Sequence, residues 1–225
     1  MPPAPPSVQA HPSPQQVLDG ARQLGVLIDG AQAAQLVAYL VCLERWNRVH
    51  ALSAWKLPTD LLVHHVLDSM TLVGPLSRYG AGKPLRILDA GSGAGFPAVV
   101  LAVSRAEWSV TAVDAVAKKV AFIQQATMEA GIGNLSARHA RLEELQVAKP
   151  FDVVVSRAFA SLDRFVALTE HLLAPDGVWV AQKGRRSNDE TIDLRKGVEV
   201  FHVEPVTVPG LEAERHLVWM RRDRR

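Results

Sequence analysis

Asp89-Ala90-Gly91-Ser92-Gly93-Ala94-Gly95 sets three glycines at alternate positions behind the apolar run 85–88, with a carboxylate at the junction. A strand that empties into such a loop lets its backbone approach a bound nucleoside closely, because no Cβ stands in the way. The spacing narrows the chemistry. A dinucleotide fingerprint needs its third glycine three residues after the second, but Phe96 stands there and the third glycine is Gly95. A plain strand-to-helix turn is the alternative use of the same residues. The next apolar run, 108–113, ends in Asp114, 25 residues after Asp89 and about one strand-helix-strand unit away. Its carboxylate there can accept hydrogen bonds from both hydroxyls of a ribose. It can equally cap a helix starting near Val116, and the two roles are compatible.

The elements that must position these groups follow from periodicity. Apolar residues recur at helical spacing over 15–24 and 30–47, the second carrying Leu36, Val37, Leu40, Val41, Leu43 and Trp46. A third helix through Leu61, Leu62, Val66, Leu67 and Met70 has Thr59 and Asp60 as candidate caps, with Pro58 just before them marking the break. Residues 79–84, Tyr-Gly-Ala-Gly-Lys-Pro, read as a linker. Beyond it the pattern alternates. Strands are expected over 85–89, 109–114, 135–139, 151–156 and 177–183, with helices over 96–103, 117–130 and 162–173 between them. Runs 198–208 and 216–221 lack a good helix between them and suggest a closing antiparallel pair. The expectation is an α/β fold, a mainly parallel sheet of about seven strands with an N-terminal helical cap. Residues 1–14 are expected as a disordered Pro-rich tail, 15–79 as the helical section and 80–225 as the core, with helical section and core forming one domain. In such sheets ligands sit beyond the C-terminal strand ends. Arg141-Leu142-Glu143-Glu144 and Ser156-Arg157-Ala158-Phe159 fall there with the glycine loop.

Composition excludes several classes. At 225 residues and 48% hydrophobic content the chain can bury one substantial core. Its one cysteine, Cys42, rules out an internal disulfide and a Cys-rich zinc site, and suits a reducing compartment. Residues 1–14 hold six of the 14 prolines and have neither the basic nor the apolar region of a signal peptide. No apolar stretch approaches the ~20 residues of a membrane span, so a cytoplasmic protein is expected. The net charge of +2 does not diagnose a nucleic-acid binder, although Lys118-Lys119, Arg185-Arg186 and the Arg-rich end 221–225 form basic clusters. His64, His65 and His216 have no spacing that suggests a metal site, and none is expected.

An acidic strand end followed by Gly-x-Gly-x-Gly resembles the first motif of S-adenosylmethionine (AdoMet) dependent methyltransferases, which have a Rossmann-like class I fold. Longer segments are more specific. Leu43-Glu44-Arg45-Trp46-Asn47, Leu62-Val63-His64-His65-Val66-Leu67-Asp68-Ser69, the glycine loop through Phe96-Pro97, Val155-Ser156-Arg157-Ala158-Phe159-Ala160-Ser161, Gln182-Lys183-Gly184 and Glu214-Arg215-His216-Leu217-Val218 together resemble the glucose-inhibited division protein B (RsmG) family of bacterial 16S ribosomal RNA methyltransferases. The chain departs from that pattern at Ala98, at Ala51-Leu52-Ser53 and at His64. The resemblance implies AdoMet as cofactor and methylation of guanine N7 in the 530 loop of 16S rRNA, with 16S rRNA or the 30S subunit as partner; a monomer is expected. It implies cofactor contacts at Gly91, Phe96, Leu142, Glu143 and Arg157, to which the loop and the second strand end add Gly93 and Asp114.

That reaction needs no general base, because guanine N7 carries an in-plane lone pair and loses no proton; positioning and electrostatics suffice. The residues agree: Ser156-Arg157-Ala158-Phe159 stands where amine methylation commonly has Asn/Asp-Pro-Pro-aromatic, and Cys42 lies in a helix far from the loop rather than where a nucleophile is needed. Arg157 suits the cofactor carboxylate, a phosphate or guanine O6, or a structural pair with Glu143 or Asp152. Phe159 is a candidate to stack on the target base and Lys183 to meet an RNA phosphate. Three competing readings remain: an AdoMet enzyme for a small molecule, a non-catalytic ribosome assembly factor, and, against the glycine spacing, an NAD dehydrogenase.

Overall fold

The computed structural model describes residues 11–54, 58–157, 159, 161–184 and 194–223. Helix α1 (Pro14–Gln23) starts one residue before the expected helix. Ser13 accepts from Gln16 N while the Gln16 side chain accepts from Ser13 N, a reciprocal cap that draws Ser13 and Pro14 into the fold. Asp29 and Gln32 form the same box at the start of α2 (Gly30–Asn47). The third helix, α3, has three consecutive pieces: Pro58–Leu61, a π-helical stretch Leu62–Leu67, and Asp68–Met70. Pro58 is its first residue and not the break before it, since a first-turn position has no use for the N–H that proline lacks. Helix α4 (Val73–Gly80) occupies the start of the expected linker and ends on Ala81 at φ 48°.

The sheet contains β1 (Arg86–Ala90), β2 (Ser109–Asp114), β3 (Leu135–His139), β4 (Phe151–Ser156), β5 (Leu173–Lys183), β6 (Val198–Val206) and β7 (Arg215–Arg222). Between them run α5 (Ala98–Ser104), α6 (Ala117–Glu129) and α7 (Leu162–Thr169). Strand order is β3-β2-β1-β4-β5-β7-β6, parallel from β3 to β5, with β7 antiparallel to both its neighbours. The order reverses between β1 and β4, which is where an open α/β sheet leaves a crevice. Strand β5 begins at Leu173 rather than 177, because Leu173 pairs with Phe151 before a register shift in β4.

Both faces are covered, which is why the central strands are apolar throughout. One core joins Ile87, Val110 and Val153 of the sheet to α5, α6 and the N-terminal helices through Leu36, Tyr39, Leu40, Leu43, Met70 and Phe122. The other packs Leu88, Val154 and Trp179 against Phe165 and Val166 of α7. Gln32 and Gln35 of α2 donate to Val103 O and Gly131 O, fixing the helical section on the sheet.

Candidate functional site

The glycine loop leaves β1 at Ala90 and is tied to β2 at once, with Gly91 N and Ser92 N both donating to Val113 O. Gly91, Gly93 and Gly95 all have positive φ (71°, 59° and 84°), a region open to glycine at little cost. Gly95 is doubly constrained, because an added Cβ would overlap the hydroxyl of Tyr39. That hydroxyl donates to Ala94 O at 3.1 Å, so α2 runs directly beneath the loop. Contrary to expectation, then, the helix bearing Cys42 is not remote from the loop; Cys42 itself is buried in the core.

Two carboxylates brace the loop. Asp89 is 1% exposed and accepts from Ala98 N at 3.1 Å. Burial pushes its carboxyl up to about 7, against the lowering effect of the Ala98 bond and of Arg157. Of the two roles foreseen for Asp114, the one towards the following helix is seen: Oδ1 accepts from Val116 N before α6, while Oδ2 accepts from Gly93 N of the loop, each at 2.9 Å. Lys119 Nζ lies 3.6 Å from the same carboxylate, so one of the two paired lysines serves the site's frame.

Two cavities meet at Gly91. The smaller, about 240 Å³, is lined by Asp114, Leu142, Glu143 and Phe159 at the ends of β1 to β4. The larger, about 520 Å³, lies over β1, β4, β5 and β7 and takes in Gly93, Phe96, Arg157 and Lys183. Every residue expected at the site therefore borders one cavity or the other. Phe159 borders the smaller one, on the Asp114 side, with its ring stacked on Phe165 at 5.4 Å between centroids. Lys183 donates to Phe159 O at 2.8 Å and so also holds the segment after β4.

The sequence reading missed Asp68, the carboxylate that organises the larger cavity. Its Oδ2 accepts from Arg157 Nη1 at 3.1 Å, and its Oδ1 accepts from Arg215 Nε and Gln182 Nε2, each at 3.0 Å. One acid on α3 thus gathers the ends of β4, β5 and β7. The available signal was a lone carboxylate on an apolar helical run, Val66-Leu67-Asp68-Ser69-Met70. Arg157 pairs with this group rather than with Glu143 or Asp152, whose Oδ2 accepts from Arg86 N. Burial lowers the pKa of Arg157 while Asp68 and Asp89 oppose the shift, and its Nε is buried with no partner among the described residues.

Phe96 forms the floor beside it. His65 stacks on the ring at 4.7 Å and 10°, Tyr39 meets it edge-on at 5.6 Å, and the Arg157 guanidinium lies 6.0 Å from its centre. His65 Nε2 is 2.7 Å from Ser53 Oγ; burial, then Arg157 and His64, push its pKa down to about 3, so it is neutral at physiological pH. Among the described residues no group of three or more His, Cys, Asp or Glu is arranged to hold a metal. The C-terminal basic cluster is partly consumed by the fold: Arg221 pairs with Glu199, and Arg222 donates to the carbonyls of Glu170, Leu173 and Ala174. Arg185, Arg186, Arg224 and Arg225 lie outside the described residues, as does most of the expected N-terminal tail.

These residues suit an AdoMet-type ligand. Asp114 and Glu143 offer acceptors beside a glycine backbone, and the Arg157 guanidinium borders the larger cavity as a positive group suited to an anion. The fold and the paired cavities define a class I AdoMet-dependent methyltransferase. The family model described as "rRNA small subunit methyltransferase G" (GidB) matches residues 32–218. A protein named ribosomal RNA small subunit methyltransferase G from Leptothrix cholodnii is 49% identical over 211 residues, covering 94% of this chain and 96% of its own. One of the same name from Methylibium petroleiphilum is 48% identical, covering 90% and 91%. The chain belongs to the rRNA small subunit methyltransferase G family. Among solved structures, the 1,6-didemethyltoxoflavin-N1-methyltransferase of Burkholderia thailandensis, with bound S-adenosylhomocysteine, superposes with a TM-score of 0.54 at 16% identity over 84% of this chain and 90% of its own. TrmN from Thermus thermophilus gives 0.53 at 17%, over 69% and 49%. At these identities the likeness concerns the fold. Among the described residues no helix is long and apolar enough to cross a membrane.

Proposed function

We propose that this enzyme methylates N7 of a guanine in the 530 loop of 16S rRNA, acting as a cytoplasmic monomer on the small ribosomal subunit. The observation that carries the reading is the pair of cavities meeting at Gly91, one bordered by the carboxylates of β2 and the turn after β3, the other wide enough for a base. AdoMet, when bound, supplies an electrophilic methyl group on a sulfonium. Gly91, Gly93, Asp114, Leu142 and Glu143 would hold its nucleoside part, and Phe96 and Arg157 would lie on the side of the larger cavity.

The chain's own groups then have little proton chemistry to perform. Guanine N7 presents a lone pair and no proton, and His65, neutral and stacked on Phe96, shapes the cavity rather than acting as a base. Arg157, fixed by Asp68, keeps a positive field over the floor and suits an anionic group on the ligand. Lys183 and Arg215 add positive charge at the rim, where RNA phosphate would approach. With Phe159 on the Asp114 side, stacking against the adenine is its better-supported role, ahead of the target base.

The test is transfer of labelled methyl from AdoMet to small subunits lacking modifications, with naked 16S RNA and transfer RNA as controls and cleavage at N7-methylguanine to map the site. Label at one guanine of the 530 loop is the expected result. AdoMet binding with no label on any RNA would return the choice to a small-molecule enzyme or an assembly factor.

A further inference from the structure

A third cavity, of about 390 Å³, opens on the sheet and shares no residue with the two that meet at Gly91. Its walls carry Arg86, Arg138 and Lys149, with Thr111 and Ser136 between them, and among the described residues no acid borders it. The sheet explains the place. Thr111 of β2 and Ser136 of β3 are register partners whose hydroxyls lie 3.2 Å apart, and Arg138 follows Ser136 on the same face of its strand. Two residues further along that face of β1 and β2, Leu88 and Val113 belong to the core under α7. Here hydroxyls and cations replace apolar side chains.

The two arginines are held in position without being neutralised. Arg86 donates from Nε to Pro150 O at 3.3 Å and from Nη2 to Lys149 O at 3.1 Å, and its guanidinium lies 5.6 Å from the centre of the Phe151 ring. Arg138 Nη1 donates to Gln146 O at 3.5 Å. Carbonyls orient a guanidinium and leave its charge uncompensated. On other surfaces Arg22, Arg45, Arg48, Arg78 and Arg221 each pair with a carboxylate, whereas Arg86, Arg138 and Lys149 pair with none among the described residues. Asp152 accepts from Arg86 N and does not border the cavity.

We infer that this cavity takes a backbone phosphate of the ribosomal RNA, as a second point of contact remote from methyl transfer. This rests on RNA being the substrate, and not on which of its atoms is methylated. Phosphate oxygens accept from guanidinium, ammonium and hydroxyl alike, and a fixed guanidinium loses little freedom on meeting them. Arg86 opens β1 and Gly91 follows its last residue, roughly 16 Å further on at the rise of a strand. One nucleotide cannot reach both places. A contact of this kind sets the register of the RNA on the enzyme and reads no base.

The test removes the two exposed cations together, Arg138→Gln with Lys149→Gln, and leaves Arg86 to hold its carbonyls. Binding of small subunits to the enzyme with S-adenosylhomocysteine is measured from about 50 to 200 mM salt, the range in which phosphate contacts show themselves. We expect unchanged circular dichroism, an unchanged Kd for S-adenosylhomocysteine, weaker subunit binding, and a slope of log K against log salt shallower by about 1.4 to 1.8, two contacts' worth. Subunit affinity and slope equal to wild type would overturn the assignment. A control, Arg22→Gln with Arg78→Gln, removes the same charge elsewhere and should keep the wild-type slope; an equal loss there would reduce the effect to net charge and also overturn it. Calorimetry with inorganic phosphate separates the remaining source: heat that the variant loses, with subunit binding unaltered, would give the cavity to a small anion instead. Should the double variant not fold, Lys149→Ala carries the test, with a change in slope of about 0.7 to 0.9 expected and none defeating it. Wild-type enzyme that binds no subunit is a different failure, that of the proposed substrate, and is read before any variant.

Discussion

Tyr39 and Ala94, 55 residues apart in sequence, are joined by a buried hydrogen bond in which the Tyr39 hydroxyl donates to the Ala94 carbonyl. This bond closes the contact between the second helix and the middle of the glycine loop, and it occupies the space that a side chain at Gly95 would need. Two substitutions separate its parts. Gly95→Ala should destabilise the protein by a few kcal/mol, combining the cost of a positive φ at a residue with a Cβ, roughly 1–2 kcal/mol, with the overlap on Tyr39. Tyr39→Phe alone should cost about 1 kcal/mol for the lost bond. Together they should be less harmful than the sum, because removing the hydroxyl makes room for the new methyl. Chemical denaturation of the four proteins reads this coupling, and strict additivity would show that the contact does not set the glycine requirement.

Asp68 yields the second prediction. Its carboxylate is nearly buried between Arg157 and Arg215, which are themselves only about one-fifth exposed, at 20% and 22%. Removing the acid leaves two guanidinium groups short of a partner and Gln182 Nε2 short of one. Asp68→Ala should therefore cost about 3–5 kcal/mol, the range for breaking a buried ion pair from one side. Asp68→Asn, which keeps the shape and one acceptor, should cost less yet still depress methyl transfer, since Arg157 is then held less firmly. Thermal unfolding beside a methyl-transfer assay measures both, and a wild-type melting temperature in Asp68→Ala would contradict the hub role.

Strand and helix positions were largely legible because they follow from local periodicity: 109–114, 135–139 and 151–156 agree with the structure to the residue. What escaped the sequence depends on tertiary pairing. The helix Val73–Gly80 was not foreseen, residues 71–78 being unassigned and 79–84 read as linker, because Gly74, Pro75 and Gly80 are poor helix formers; burial of Val73 and Leu76 overrides them. Arg157 carries no sign of whether its acid lies four residues or eighty-nine residues away, and the nearby Glu143 and Asp152 are misleading for that reason. Likewise Arg221-Arg222 reads as a surface charge cluster, whereas β7 turns Arg222 onto three carbonyls between the end of α7 and the start of β5. The geometry of the glycine loop was readable since it rests on three glycines and one acid at each strand end.

Asp114 tests that reading of the loop. Asn at this position retains one acceptor for Gly93 N or Val116 N, but not both, and it has no charge to offer a ribose. Asp114→Asn should weaken S-adenosylhomocysteine binding about tenfold, the equivalent of about 1.4 kcal/mol, with only a small drop in melting temperature. Titration calorimetry gives the first number and scanning calorimetry the second. Unchanged affinity would remove the ribose contact and leave Asp114 as a brace for the loop alone.

The last prediction concerns pH, where two buried groups of the site act in opposite directions. Asp89 has its pKa raised from 3.8 to about 7, chiefly by burial, so the folded protein holds a proton there that the unfolded chain releases. Its contribution to stability is full below about pH 4 and is lost as pH rises towards 7. His65 has its pKa lowered from 6.5 to about 3, again chiefly by burial, so the unfolded chain takes a proton that the folded protein refuses. Its contribution is full above about pH 6.5 and is lost as pH falls towards 3. Over the shared range from about pH 4 to 6.5 the two slopes are each close to one proton and nearly cancel. Wild-type stability should therefore be flat there so far as these groups determine it, and each substitution should expose the other slope. Asp89→Asn should make stability rise with pH across this range and should gain on the wild type above pH 7, because Asn can accept from Ala98 N without a buried charge. His65→Gln should make stability fall across the same range. Urea denaturation at half-unit pH steps measures both slopes, and parallel profiles for the two variants would show that neither group titrates as its burial requires.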